Sequence, residues 1–248
     1  MHRYFIKLAY KGTAYHGWQK QDNAHSIQQE LENALEALLG KSTEILGCGR
    51  TDAGVHAREF YAHFDAETRI ADEKFIVYKL NKILPKDISV SSVFEVKDSA
   101  NARFDAVSRT YQYYISRKKN PFEIETAYYL YGVLDIGKMN RAAKLLFNHI
   151  DFTSFSKSNT QVFTNNCTIL KAEWYQKDAL LIFEIKANRF LRNMVRAIVG
   201  TLLQVGKGEL SEEEFEKIIL SKNRQLAGFS VPAEGLFLTQ VEYPDHIF

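Results

Sequence analysis

Residues 47–57 read GCGRTDAGVHA, which puts a thiol, a guanidinium, a hydroxyl, a carboxylate and an imidazole among three glycines. The runs on either side have strand character. The stretch is therefore expected to be a loop whose glycine-punctuated backbone can approach a ligand closely. Arg50 and Asp52 are its charged members. A charged pair on such a loop is suited to meeting a ligand. Plainer readings fit the same residues. Thr51-Asp52-Ala53-Gly54 fits a turn in which Asp52 bonds its own backbone. Cys48, His56 and Asp52 could act as nucleophile, base and orienter, but a cysteine that closes a strand is by default buried and inert. His56 has no second histidine at metal-binding spacing and reads as a packing residue.

Two further stretches carry chemistry. In Ser108-Arg109-Thr110-Tyr111-Gln112-Tyr113-Tyr114, strand alternation sends Tyr111 and Tyr113 to one face and Gln112 and Tyr114 to the other. With Arg103, Arg109, Arg117, Lys118 and Lys119 nearby, the rings suit base stacking beside phosphate contacts. The spacing fits two core tyrosines equally well. In NRFLRNMVRAIVG, a helix read from Phe190 to Val205 would place Leu191, Met194, Val195, Ile198 and Leu202 on a core stripe. Arg189, Arg192 and Arg196 would then share another stripe, which either faces solvent or meets an anion. Arg196 lies deepest among apolar residues, where a buried guanidinium needs a carboxylate, and Asp52 is a candidate partner.

The elements that must hold these groups follow from periodicity. Arg3 to Tyr10 alternates as a strand. Ser26 followed by Gln29 opens a helix that Gly40 ends. Thr43–Cys48 and Arg58–Phe64 read as strands, Asp72–Leu84 as a helix stopped by Pro85, and Ile88–Val96 as a strand. The second half repeats the order: a strand at Thr110–Arg117, a helix at Lys138–His149, and a hairpin of Cys167–Gln176 and Ala179–Lys186 around Lys177-Asp178. The helix from Phe190, a helix capped by Ser211 and Glu214, and a strand at Leu236–Tyr243 follow. The fold expected is α+β: two ferredoxin-like or RRM-like split β-α-β units with mainly antiparallel sheets and a cleft between them. Residues 1–105 would form the domain carrying the Asp52 loop, and 106–248 the domain carrying Tyr111 and the Arg196 helix.

Composition narrows the class. The 248 residues are 46% hydrophobic and 25% charged, which supports a packed core and argues against disorder. A net charge of +2 means that any polyanion must be met by local clusters of Lys and Arg. The two cysteines form no zinc-like pattern and read as reduced thiols. No apolar run reaches the length of a membrane span and none resembles a secretory leader, so a cytoplasmic protein with no membrane partner is expected.

Taken together, the three stretches resemble the tRNA pseudouridine synthase A family. The matching segments are GRTDAGVHA at 49–57, SRTYQY at 108–113 and NMVRAIVG at 193–200. AYHGWQKQ at 14–21, ARFDA at 102–106, DFTSF at 151–155 and EGLFLTQVEY at 234–243 flank them in order. The resemblance implies isomerisation of uridine to pseudouridine at positions 38–40 of the tRNA anticodon stem-loop, without metal or organic cofactor, by a homodimer that grips tRNA between its subunits. It implies Asp52 as the catalytic carboxylate, Tyr111 as the ring that stacks on the uracil, Arg196 as the arginine paired with the carboxylate, and Arg50 as the base-displacing arginine. Thr51, Arg103, Arg109 and Arg192 are further expected RNA contacts. The chain departs from the family pattern at Lys11 and Asn101, where Asp and His are common, and at Arg189 and Arg192. It also lacks an arginine in Thr164–Cys167. These departures bear on tRNA choice and docking. A noncatalytic RNA-binding module would keep the basic and aromatic surface but has no use for an Asp-Arg pair. A glycoside or nucleoside hydrolase would want a second carboxylate beside Asp52.

Overall fold

The structure, a computed structural model, describes residues 1–157 and 163–247. It comprises two compact units, residues 1–107 together with the C-terminal residues from Phe237, and residues 108–236. The content is mixed α+β with mostly antiparallel strand pairs, and five α-helices occur among the described residues.

In the first unit the chain runs β1 (His2–Tyr10), α1 (Ile27–Leu39), β2 (Leu46–Gly47), β3 (His56–Ala66), α2 (Glu73–Ile83) and β4 (Ile88–Val96). β1 is central, antiparallel to β3 on one side and to β4 on the other, and β2 pairs with β3 at Leu46–His63. Register places Tyr4 and Ile6 on one face with Phe64 and Ala62, and all four are shut off from solvent. At about 1.5–3 kcal/mol for each fully buried large side chain, this layer is a main source of the unit's stability. Ser26 Oγ accepts from Gln29 N at 3.3 Å to start α1, and Gly40 at φ 70° ends it. Asp72 caps α2 in the same way, through Phe75 N at 2.9 Å. β2 is shorter than the strand expected over 43–48, because Glu32 Oε1 on α1 takes the Ile45 N–H and Gln28 takes its carbonyl.

The second unit contains β5 (Ser108–Ser116), β6 (Tyr128–Tyr129), α3 (Ile136–Leu145), β7 (Ile169–Lys177), β8 (Leu180–Ala187), α4 (Met194–Lys207) and α5 (Glu212–Ser221). β8 lies between β5 and β7, antiparallel to both, and β6 adds to β5 in parallel. Asp178 turns the β7–β8 hairpin at φ 53°. The full capping box of Ser211 and Glu214 starts α5.

One helix boundary moves. α4 begins at Met194, four residues later than periodicity indicates, because Asn193 adopts a left-handed φ of 67° that no α-helix continues through. Arg189 and Arg192 are therefore outside the helix, and the three-arginine stripe does not exist. Sequence order would place the last strand, β9 (Leu236–Glu242), with the second half. From Phe237 onward it instead completes the first unit, running parallel to β3 through His56–Phe237 and Ala57–Leu238. Tyr243 covers the second face of that sheet, its ring 5.5 Å from Phe5 and 5.2 Å from Tyr61. Its hydroxyl donates to Ala102 O at 2.6 Å.

Candidate active site

In the first unit, a neighbouring loop clamps residues 51–55. Trp18 N donates to Thr51 O at 3.2 Å, and Gly54 N donates to Tyr15 O at 3.3 Å. The Tyr10 and Thr51 hydroxyls lie 2.9 Å apart inside the protein. Val55 N closes a turn on Asp52 O at 3.1 Å, with Gly54 at φ 79°. The contact between the two loops is so close that a Cβ on Gly17 would sit 2.4 Å from Thr51 O. Thr51 is buried, Asp52 half-buried and Arg50 exposed, so the loop turns its hydroxyl inward and leaves Arg50 in solvent. A turn does form here, as one of the plainer readings requires.

The remaining members of the motif serve the scaffold. His56 is fully buried, accepts from Gly12 N through Nδ1 at 2.9 Å, and stacks on Phe237 at 4.4 Å. Cys48 is a buried thiol at the end of β2. Gly47 lies beneath the Trp18 and Phe60 rings, where a side chain has no room. Arg103 lies on a separate exposed loop, its guanidinium 5.4 Å from the Phe104 ring centre. Asn101 shapes that loop by accepting from Arg103 N and Phe104 N at 3.0 and 3.2 Å.

In the second unit, β5 separates its two tyrosines. Tyr113 is fully buried and donates to Pro232 O at 2.8 Å; burial pushes its hydroxyl pKa far above the ordinary 10. Tyr111 shares its face but is half-buried, its ring edge-to-face with Phe190 at 5.1 Å and 87°. The segment 188–193 runs beside it. Arg109 Nη1 donates to Asn188 O at 3.1 Å, and Asn188 Oδ1 accepts from Thr168 N and Arg189 N, both at 2.8 Å. Lys157 N bonds Arg192 O at 3.0 Å, leaving the Arg192 side chain on the surface. Arg109, Tyr111 and Arg192 thus share one neighbourhood. Arg196 occupies the first turn of α4, half-buried, with Nε donating to Val231 O at 2.7 Å. No acidic residue lies in that turn, so a cation sits at the positive end of the helix dipole, which favours an anion opposite.

Burial pushes the Cys167 thiol up to about 11, so that it stays protonated at neutral pH. Among the described residues no cluster of His, Cys, Asp and Glu is arranged to hold a metal ion, and no helix is long and apolar enough to cross a membrane. Sequence reasoning missed Gly12, Gly17 and Phe190 as supports of the site. The signal available for the first two was a glycine at each end of a short aromatic loop.

A family profile described as tRNA pseudouridine synthase matches residues 142–244. A protein of Bacteroides fragilis described as tRNA pseudouridine synthase A is 56% identical over 247 residues, covering 99% of this chain and 98% of that protein. Its counterpart in Parabacteroides distasonis is 53% identical, covering 100% and 98%. One in Francisella tularensis subsp. tularensis is 37% identical, covering 100% and 96%.

Proposed function

The chain belongs to the tRNA pseudouridine synthase A family, isomerases that act on tRNA uridine, and we propose that Asp52 is its catalytic carboxylate. The observation that carries this reading is the clamp on residues 51–55. It fixes the backbone on either side of a half-buried carboxylate. The target is uridine 38, 39 or 40 of the anticodon stem-loop. There the C1′–N1 bond breaks, the uracil turns, C5 bonds to C1′, and C5 loses the proton that balances the one gained at N1. Asp52 stabilises the electron-poor C1′ or bonds to it.

Tyr111 holds the detached uracil by stacking, with its ring orientation set by Phe190. Arg196 is the counter-charge that favours ionised Asp52. Arg50 fills the space of the displaced base, offsetting an unstacking cost of about a few kcal/mol. Arg103, Arg109 and Arg192 bind phosphate, and Thr51 braces the loop. No metal or organic cofactor takes part.

Of the pair of ferredoxin-like split β-α-β units proposed, the first is supported by its strand order β4-β1-β3-β2. The working form is a cytoplasmic homodimer. Exposed Phe122, Ile124, Tyr131 and Val133 lie within twelve residues and support a self-association face. The reading is tested by mapping pseudouridine in unmodified tRNA treated with the enzyme. Modification confined to 38–40 supports it; modification elsewhere, with these positions untouched, contradicts the assigned target.

A further inference from the structure

We propose that Arg224 is a positioning residue for Arg196, acting through residues 227–231, which it ties into a strap across α4. The inference rests on the role proposed above for Arg196. Arg224 Nη1 donates to the carbonyls of Ala227 and Gly228 at 3.3 and 3.1 Å. Its Nη2 donates to Ser230 Oγ at 2.9 Å. One guanidinium thus closes the whole turn. Ser230 Oγ also accepts from Asn193 Nδ2, on the residue whose left-handed backbone sets the start of α4.

The next residue, Val231, is bound to Arg196 twice. Its N–H donates to Arg196 O at 3.2 Å, and its carbonyl accepts from Arg196 Nε at 2.7 Å. With Nε held, the plane of the guanidinium fork is held too, and both Nη groups keep their direction. The strap is also held against the helix at Gly228 and Phe229. Gly228 N donates to buried Thr201 Oγ1 at 2.9 Å, and a Cβ on Gly200 would stand 1.8 Å from Phe229 O. Arg224 is therefore connected to Arg196 through Ser230 and Val231, with the helix start tied in at Asn193. If Arg224 is lost, the strap loosens and Arg196 loses the acceptor that fixes its fork.

A positioning role and a purely stabilising one separate in a double-mutant cycle. Arg224→Gln is placed in the wild-type and Arg196→Lys backgrounds, and single-turnover rate, tRNA affinity and Tm are measured for each. We expect a loss of rate of about 10–100-fold in the wild-type background, as for a roughly 1 Å misplacement, with affinity changed only a few-fold. In the Arg196→Lys background the further loss should shrink to about two-fold or less, because no guanidinium remains to be aimed. Equal losses in both backgrounds, tracking the fall in Tm, would overturn the proposal in favour of a stabilising role. If Arg224→Gln fails to fold, Ser230→Ala reads the same cycle while leaving the carbonyl bonds of Arg224 intact. Wild-type rate in Arg196→Lys alone would sink the role of Arg196 and this inference with it. A slow Arg196→Lys beside an undiminished Arg224→Gln would sink the positioning inference alone.

Discussion

Replacing Gly17 by alanine tests whether the clamp on residues 51–55 governs the reaction. The added Cβ would meet Thr51 O at 2.4 Å, whereas ordinary contact begins at 3.4 Å, so the two loops must separate by about 1 Å. Gly17 also has φ +95°, which alanine adopts only at a cost of roughly 1–2 kcal/mol. The Trp18 N–H bond to Thr51 O resists separation, and the shift is passed to the next residue, Asp52. A 1 Å misplacement of a reacting group costs about 10²-fold in rate. Binding of tRNA should hold within a few-fold, since phosphate contacts dominate affinity. Tritium release from 5-³H-uridine tRNA under single-turnover conditions gives the rate, and filter binding gives the affinity. Gly40→Ala is the matched control: its φ is +70° but no atom lies within 4 Å of the added Cβ. It should lose about as much backbone stability with no loss of rate. A Gly17→Ala protein that is folded and turns over at the wild-type rate would refute the coupling of this loop to Asp52.

Other expectations follow from single contacts. Tyr113→Phe keeps the buried ring but leaves Pro232 O without its donor, and should lower stability by about 1–3 kcal/mol, read by urea denaturation, with rate little changed. Burial holds the His63 imidazole below the ordinary 6.5, with Arg3 adding to the effect, and its Nδ1 accepts from Ala102 N at 3.1 Å. The unfolded chain takes up that proton first. Stability should therefore fall as pH drops below 6.5, levelling off once the folded form is protonated too, and His63→Gln should flatten this part of the profile. If the proposed dimer forms through this face, Phe122→Asp with Val133→Asp should yield a monomer in sedimentation runs; an unchanged dimer mass would remove this face from the interface.

Elements built on local signals were legible in the sequence. Ser26 with Gly40, and Ser211 with Glu214, mark helix ends because each motif satisfies backbone groups within a few residues. The start of α4 was not legible. Leu191 continues the apolar period upstream, whereas the break is made by the backbone of Asn193, tied to Ser230 thirty-seven residues away. Likewise, Tyr111 and Tyr113 look alike on a strand. Only the Pro232 carbonyl and the Phe190 ring, both from later segments, make one a core residue and the other a half-exposed one. The residues proposed to react stand out by their types and spacing, whereas their proposed supports, such as Gly17 and Arg224, act through distant backbone atoms.

The most direct test of the central claim is release of tritium from unmodified 5-³H-uridine tRNA by the wild-type protein and by Asp52→Asn, with tRNA affinity measured in parallel. Release by the wild type alone, at affinities within a few-fold, is the predicted result. Equal release by both proteins, or a loss of affinity in Asp52→Asn as large as its loss of rate, would contradict the assignment of Asp52 as the catalytic carboxylate.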